Sequence, residues 1–271
     1  MFGVSRQSIY QQQARLKRRS EELKRVKDLV IRTRMSMPRL GTRKLYYLLK
    51  EEFKSLGIKI GRDALFKYLK SESLLIRPKK NYTKTTHSNH WLRKHPNLMK
   101  DVQPEKIEQY LVSDITHLTS EKGSHYLSLV TDAYSRKIMG YHLSDDQSAQ
   151  EVVQALKMAS SHRITTHNTI HHSDRGLQYC SKIYQKELKN NSIKPSMTDG
   201  YDCYQNALAE RINGILKQEF LIYKCKNKRE LGLLIKESIN TYNTKRPHLS
   251  LNYKTPNFVH NKNAQEITPE H

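Results

Sequence analysis

The chain carries a strand-like stretch with one acidic residue at its centre, Tyr110-Leu111-Val112-Ser113-Asp114-Ile115-Thr116-His117-Leu118. Its apolar and β-branched residues favour a pleated backbone, which predicts a buried strand. A carboxylate inside such a strand costs free energy unless something compensates its charge. Asp114 could instead end the strand or cap a turn, but no Gly or Pro follows it, and the pattern continues through Leu118. We therefore expect Asp114 to share a cation with acids elsewhere in the chain.

The residues after this stretch alternate between strand and helix patterns. Two short turns join the first three predicted strands into an antiparallel meander, and helices and strands then alternate, which is typical of an α/β fold with one mixed sheet. The predicted strands span 110–118, 125–132, 137–143, 169–173 and 193–197. The predicted helices span 148–161, 182–190, about 205–220 and 228–241.

Two further acids are candidates to share a cation with Asp114. Asp174 lies just past a predicted strand, where polar groups of α/β sheets usually face a ligand. Glu210 lies inside the helix from about 205, roughly 200° around the axis from Leu208, given about 100° per residue. We expect that helix to pack through its leucine and isoleucine side and to present a polar edge with Glu210, Asn206, Asn213 and Lys217. Taken alone, Glu210 would be an ordinary solvated glutamate.

The oxygen ligands of Asp and Glu suit Mg²⁺ or Mn²⁺, which retain water and add phosphate oxygens of a substrate. Two such ions about 3.5–4 Å apart clamp both sides of a phosphodiester during in-line displacement. Asp114, Asp174 and Glu210 are therefore predicted as metal ligands. Asp132, at the end of the second strand, is expected to serve the turn, and neither His171 nor His172 has partners at the spacing of a zinc site.

The first part of the chain is strongly basic. Residues 1–100 contain 26 Lys and Arg against 7 Asp and Glu, whereas residues 101–271 contain 22 against 19. This asymmetry favours a polyanionic partner, and nucleic acid is the principal candidate. One or two helices over 4–35, a break at 37–41, a helix from Thr42 that Gly57 ends as a C-terminal cap, and a helix over 62–70 with Phe66 on its apolar side predict a helix-turn-helix arrangement. The candidate DNA-contacting side chains are Arg43, Lys44, Arg62 and Lys67, and for each the alternative is a solvated helix face.

The remaining composition limits the function classes. No apolar run is long enough for a transmembrane helix, and the N-terminal residues lack the apolar core of a signal peptide. The three cysteines show no C-x-x-C spacing, so we expect a reducing compartment and no zinc site. Residues 77–104 are basic and aperiodic, which indicates a linker.

The spacing of the three acids and five short sequence words resemble one known family. Between Asp114 and Asp174 lie 59 residues, and between Asp174 and Glu210 lie 35. This pattern resembles the catalytic core of retroviral integrases and related insertion-sequence transposases, and the resemblance extends from about residue 40 to 258. The words are similar to those in the second-frame product of insertion sequences whose transposase spans two overlapping frames. They are Ser113–Thr116, Asp132–Gly140, His172–Tyr179, Asn206–Glu210 and Tyr242–His248.

This resemblance implies a fold, an activity and partners. The fold is ribonuclease-H-like, with a mixed five-stranded sheet, and the activity is metal-dependent cleavage at insertion-sequence ends followed by transfer of the 3′-hydroxyl end to target DNA. Asp114, Asp174 and Glu210 would hold two Mg²⁺ or Mn²⁺ ions, and Lys217 would contact DNA near the reacting end. The implied partners are double-stranded DNA, further copies of the chain and the upstream-frame product, in the bacterial cytoplasm at the nucleoid and not at a membrane.

Two other functions fit the same residues. One is a metal-dependent nuclease without strand transfer, and the other is a DNA-binding regulator whose acids are structural. In all three cases we expect four segments: a helix-turn-helix region over 1–76, a linker over 77–104, a catalytic core over 105–260 and a tail over 261–271.

Overall fold

The computed structural model describes residues 6–77, 92–100, 102–165, 168–199 and 206–267. The chain divides into two compact units, Met1–Pro78 and Lys79–His271. Most of the predicted linker, residues 78–91 and 101, and the end of the predicted tail, residues 268–271, lie outside the described residues. The functional roles assigned to the four predicted segments remain predictions.

The first unit contains three helices, which are α1 (Arg6–Ser36), α2 (Thr42–Ser55) and α3 (Arg62–Ser71). They pack through aliphatic side chains that are almost fully buried, among them Val26, Val30, Leu45, Leu65 and Leu69. The sequence of the helix predicted over 62–70 places Phe66 on its apolar side, but Phe66 is 48% exposed. Leu65 and Leu69 make the buried contact of α3 with the other two helices, which leaves Phe66 at the solvent side.

Helix α2 is followed by a glycine, Gly57, that caps its C-terminus. Gly57 has a φ of +69°, a left-handed conformation that costs other residues free energy. The Ile58 amide donates to the Phe53 carbonyl at 2.8 Å, which is the long-range bond of a Schellman cap. The predicted C-terminal cap at Gly57 is therefore confirmed, and the chain then turns to begin α3.

The second unit is built on a five-stranded mixed sheet with strand order β3-β2-β1-β4-β5. β1 pairs antiparallel with β2 and parallel with β4, while β2–β3 is antiparallel and β4–β5 is parallel. This is the predicted mixed sheet, with the predicted stretch at its centre. The strands are β1 (Tyr110–Ser120), β2 (Gly123–Asp132), β3 (Ile138–Ser144), β4 (Thr169–Ser173) and β5 (Ile193–Met197).

Six helices of the described residues flank this sheet. They are α4 (Ala149–Ser161), α5 (Leu177–Cys180), α6 (Lys182–Asn190), α7 (Ala207–Ile215), α8 (Lys228–Thr244) and α9 (Pro256–Ile267). A π-helical turn, Leu216–Phe220, continues α7. The sequence analysis missed α5 and α9, and α9 crosses the predicted core boundary at residue 260. Across the described ranges, none of the helices combines the length and apolar character needed to cross a bilayer.

Alternate residues of β1 belong to two separate cores. Leu111 lies in a cluster with residues of α4, α5, α6 and β5. Tyr110 and Val112 lie in a second cluster that contains Ala209 of α7. Because side chains alternate between the faces of a strand, Asp114 belongs to the same face as Val112, toward α7.

Gly140 of β3 allows α4 to lie directly against the sheet. A Cβ at this position would overlap the Ala155 carbonyl oxygen and lie 2.6 Å from the Ala159 nitrogen. We expect Gly140→Ala to lower the free energy of unfolding by about 2–3 kcal/mol, because the helix backbone must move away. Urea unfolding of purified protein measures this. Gly214→Ala is the matched control, since a Cβ there meets no atom within 4 Å, and an equal loss in both variants would contradict the explanation.

A buried ionisable cluster fixes α9 to the core. His260 lies 3.4 Å from Glu108 and 3.5 Å from Asp132, and all three side chains are fully buried. Asp132 also accepts hydrogen bonds from the Ser135 amide and hydroxyl, so it serves the β2–β3 turn as predicted. Burial would raise the pKa of Glu108, but hydrogen bonds from His260, the Thr165 side chain and two backbone amides lower it to about 2.

The Glu108 carboxylate should make the free energy of unfolding depend on pH in the acidic range. Its folded pKa of about 2 lies below the ordinary 4.5, so its contribution is present above about pH 4.5 and disappears as pH falls toward 2. We expect the stability difference between the wild type and Glu108→Gln to shrink across this window, as measured by urea unfolding at several pH values. A difference that stays constant from pH 6 to pH 2 would contradict the assignment.

Candidate active site

The three predicted acids lie on three elements that meet at one place. Asp114 lies in the middle of β1, Asp174 directly follows β4, and Glu210 lies in the first turn of α7. β1 and β4 are parallel neighbours with Val112 opposite His172, so Asp114 and Asp174 each lie two residues beyond the same paired position. The strand register therefore brings these two carboxylates to one level of the sheet.

The electrostatics show that the three carboxylates act on one another. Burial raises the pKa of Asp114, the charges of Asp174 and Glu210 raise it further, and its value is about 7. Burial and the charge of Asp174 also raise the pKa of Glu210. Among the described residues, however, no group of three or more His, Cys, Asp and Glu side chains stands ready to hold a metal ion.

Hydrogen bonds orient the Asp114 carboxylate. Its Oδ1 accepts from the Ile115 amide at 2.9 Å, and its Oδ2 accepts from the Asn213 side-chain amide at 2.8 Å. The latter bond lowers the pKa of Asp114 against the larger effect of burial. Asn213 was predicted only as a polar neighbour of Glu210, so its contact with Asp114 is a feature that the sequence analysis missed.

Three residues of the predicted polar edge of α7 pack against β1, a contact that the sequence analysis did not specify. Asn206 and Asn213 are each 4% exposed, and Asn206 donates to the Ser113 carbonyl at 3.1 Å. Lys217, in the π-helical turn, donates to the Thr116 hydroxyl at 3.2 Å. Glu210 itself is exposed. These polar side chains can be buried because β1 offers each of them an acceptor: the Asp114 carboxylate, the Ser113 carbonyl and the Thr116 hydroxyl.

A glycine shapes the turn after Asp174. The Gly176 amide donates to Asp174 Oδ1 at 3.0 Å, and a Cβ on Gly176 would lie 3.0 Å from that oxygen. A side chain at residue 176 would crowd the carboxylate, so the sequence Asp174-Arg175-Gly176 holds the acid in a tight local turn.

The two histidines beside Asp174 are packed residues. His171 hydrogen-bonds Ser113 and Tyr184, and burial together with the charge of His172 lowers its pKa to about 3. His172 hydrogen-bonds Ser196 at 2.9 Å. Both rings are buried, so they support the strands and leave the carboxylates as the candidate ligands.

The candidate DNA-contacting residues of the first unit lie on α2 and α3. Arg43, Arg62 and Lys67 are exposed, and Lys44 is half-buried. Arg62 pairs with Asp63 at 2.8 Å, which lowers the pKa of that aspartate. Their contact with DNA remains a prediction.

The mixed five-stranded sheet and its flanking helices form the core fold of the integrase class of polynucleotidyl transferases. A family model described as an integrase core domain matches residues 104–203, and a second model with the same description matches residues 191–256. The chain belongs to the integrase-core family of insertion-element transposases.

Individual relatives and a solved structure agree with this assignment. The insertion element IS600 uncharacterized 31 kDa protein of Shigella sonnei is 34% identical over 264 residues, which covers 94% of each chain. Transposase InsF for insertion sequence IS3A of Escherichia coli (strain K12) is 32% identical over 172 residues, covering 63% of this chain and 60% of that protein. A chain of the simian T-cell lymphotropic virus intasome in complex with PP2A regulatory subunit B56 gamma shares the fold, with a TM-score of 0.53 and 17% identity, covering 82% of this chain and 71% of that one.

Proposed function

We propose that this transposase cleaves DNA at the ends of its insertion sequence and joins the freed 3′-hydroxyl to target DNA, with Asp114, Asp174 and Glu210 as its catalytic acids. The observation that supports this most is the mutual effect of three carboxylates on different elements, centred on a half-buried aspartate with a pKa of about 7. A fold tolerates such repulsion where a cation neutralises it during function.

The donor set fits Mg²⁺ or Mn²⁺. It consists of hard carboxylate oxygens, and the Asp114 carboxylate is already oriented by a side-chain amide and a backbone N–H. We propose two ions held by Asp114, Asp174 and Glu210. When bound, they would supply activation of the attacking oxygen and stabilisation of the leaving 3′ oxygen. Binding requires Glu210, which is exposed on the first turn of α7, to approach the two aspartates.

Other residues of the chain would position the acids and the DNA. Asn213 and the Ile115 amide hold the Asp114 carboxylate in one orientation, which removes reorganisation at the moment of reaction. Lys217 lies beside Thr116 on β1, and its ammonium group would contact a DNA phosphate there. In the first unit, α2 and α3 would hold duplex DNA through Arg43, Lys44, Arg62 and Lys67.

The proposed partners follow from the reaction. Two element ends and a target must be held together, which favours a homo-oligomer, and the upstream-frame product of the same element would contribute to recognition of the ends. The name of the viral relative, an intasome, supports assembly on DNA. The place of action would be the nucleoid in the bacterial cytoplasm.

The deciding experiment incubates the purified full chain with labelled element ends, with magnesium or with a chelator. We expect cleaved ends and joined products with magnesium only. Joined products should disappear when a pre-cleaved end, which already exposes the reacting terminus, carries a 3′-deoxy group in place of the 3′-hydroxyl. Metal-dependent cleavage without any joined product would favour the nuclease, and binding without cleavage in either condition would favour the regulator.

A further inference from the structure

A groove of about 610 Å³ lies beside β5, at the edge of the sheet. Its floor contains buried Cys180 and Ile193. Cationic side chains surround this floor, and each of them is exposed. They are Arg93, Lys182, Lys189 and Lys194. We call this feature the β5 groove.

Three parts of the chain build the β5 groove. The segment before the core is held along β5, because the Leu98 amide donates to Ser196 Oγ at 2.8 Å and the Met197 amide donates to the Pro96 carbonyl at 3.3 Å. This segment carries Arg93. Helix α6 supplies Lys182 and Lys189, which are seven residues apart and therefore share one helix face. Lys194 is the outward residue of β5 next to buried Ile193.

The cations of the β5 groove are not explained by pairing within the protein. None of the four forms a salt bridge with another described residue. Lys182 is the first residue of α6, directly after the Ser181 cap. A positive charge at a helix N-terminus opposes the helix dipole, so this lysine does not stabilise its own helix. An anionic ligand would account for both observations.

One end of the β5 groove lies near the candidate acids. Cys180 is six residues after Asp174, and its thiol contacts Met197 Sδ at 3.6 Å. Burial raises the pKa of Cys180 to about 11, and the charge of Asp174 contributes to the increase.

We propose that the β5 groove binds the phosphate backbone of duplex DNA, without regard to base sequence, next to the candidate active site. Lysine ammonium groups are point charges that suit phosphate oxygens, and contacts to phosphates carry no base information. This inference rests on the proposed function of the chain as a DNA-processing enzyme, and it adds a DNA-binding surface separate from α2 and α3.

Lysine acylation tests the β5 groove directly in the wild-type full chain. With saturating duplex DNA, Lys182, Lys189 and Lys194 should react several-fold more slowly than in the free protein, whereas exposed Lys157 and Lys236 should react at unchanged rates. An element-end duplex and an unrelated duplex should protect equally. Unchanged reactivity of the three groove lysines, or protection by an acidic polypeptide but not by duplex DNA, would overturn the proposal.

A triple variant, Lys182→Gln with Lys189→Gln and Lys194→Gln, tests the energetic contribution. We expect weaker binding of both duplexes and a salt dependence whose slope falls by roughly one for each phosphate that the variant no longer neutralises. The matched control neutralises Lys157, Arg229 and Lys236, which are exposed on α4 and α8. If the salt dependence of DNA binding had the same slope in both triple variants, the effect would be one of general charge, and the proposal for the β5 groove would be overturned.

The two proposals fail in different ways. If wild-type protein binds DNA with protected groove lysines but never cleaves it, the transposition chemistry is wrong and the β5 groove stands. If the protein cleaves and joins element ends while the groove lysines remain fully reactive, the chemistry stands and the β5 groove is wrong.

Discussion

Asp114→Asn is expected to reduce end cleavage and joining by about 10³-fold or more, while DNA binding changes less than about twofold. The side chain keeps its size and can keep its contact with Asn213, but it loses the charge that attracts divalent ions. Gel assays with labelled element ends measure cleavage, joining and binding in one set of samples. Asp174→Ala and Glu210→Gln should give the same pattern.

Asp146→Asn is the matched control, because Asp146 is an exposed acid in the loop after β3. Its variant should cleave and join like the wild type. Strand transfer retained in any variant of the three acids would refute the site assignment. A loss of DNA binding equal to the loss of cleavage would show instead that Asp114 is required for the folded structure.

The same substitution should stabilise the metal-free protein. The pKa of Asp114 is about 7 in the folded chain and 3.8 ordinarily, so the folded chain holds the proton more tightly, and stability falls as pH rises between these values. An asparagine side chain does not ionise, so the Asp114→Asn variant does not lose this stability as pH rises. In the presence of chelator, Asp114→Asn should gain on the order of a few kcal/mol over the wild type at pH 8 relative to pH 4. Added magnesium should raise the Tm of the wild type only.

Asn213→Leu should lower the rate of cleavage about 10- to 100-fold and raise the magnesium concentration needed for half-maximal rate by a similar factor. Leucine has the same number and branching of side-chain heavy atoms as asparagine, but it cannot donate to Asp114 Oδ2. The carboxylate would then lose one of the two hydrogen bonds that fix its orientation. A magnesium titration of the cleavage rate measures both effects.

Asn206→Leu is the matched control for this positioning role. Asn206 is equally buried and also donates to β1, but its partner is the Ser113 carbonyl. We expect both variants to lose stability, by about 1–3 kcal/mol, because each leaves a buried acceptor unpaired. Only Asn213→Leu should change the magnesium requirement. A shift of equal size in both variants would indicate that the two residues do no more than hold α7 on the sheet.

The sheet could be predicted from local patterns. All five strands appear where alternation and β-branched residues place them, within about two residues for most ends. The turn at residues 121–122 and the glycine at position 57 also follow from sequence. These features depend on neighbours in the chain, so the residues that determine them are visible in a short window.

Helix α9 could not be predicted in this way. Its sequence, Pro256–Ile267, shows little apolar periodicity. His260 is buried because Glu108 and Asp132, more than 120 residues earlier, lie on either side of it. A pattern-based prediction does not detect a helix that is held by an ionisable cluster with distant partners.

Helix α7 was predicted as an element, but the contacts of its polar side were not. The buried residues Ile212, Leu216 and Phe220 confirm the apolar side. The sequence analysis expected a polar edge with Glu210, and the structure adds that Asn213 contacts Asp114 and that Lys217 contacts Thr116. Polar residues are buried when their partners are polar, and those partners lie on β1, about 100 residues away along the chain.

The sequence by itself determined the five strands, the mixed sheet and the family, and it singled out the three candidate acids, because these depend on periodicity and on motif spacing. Only the tertiary structure decided how the acids act on one another, since strand register and the packing of α7 on β1 set the burial of Asp114, the repulsion from Asp174 and Glu210, and the contact with Asn213. Electrostatic free energy depends on distances through space and on solvent exclusion, and neither is encoded within a local window of residues.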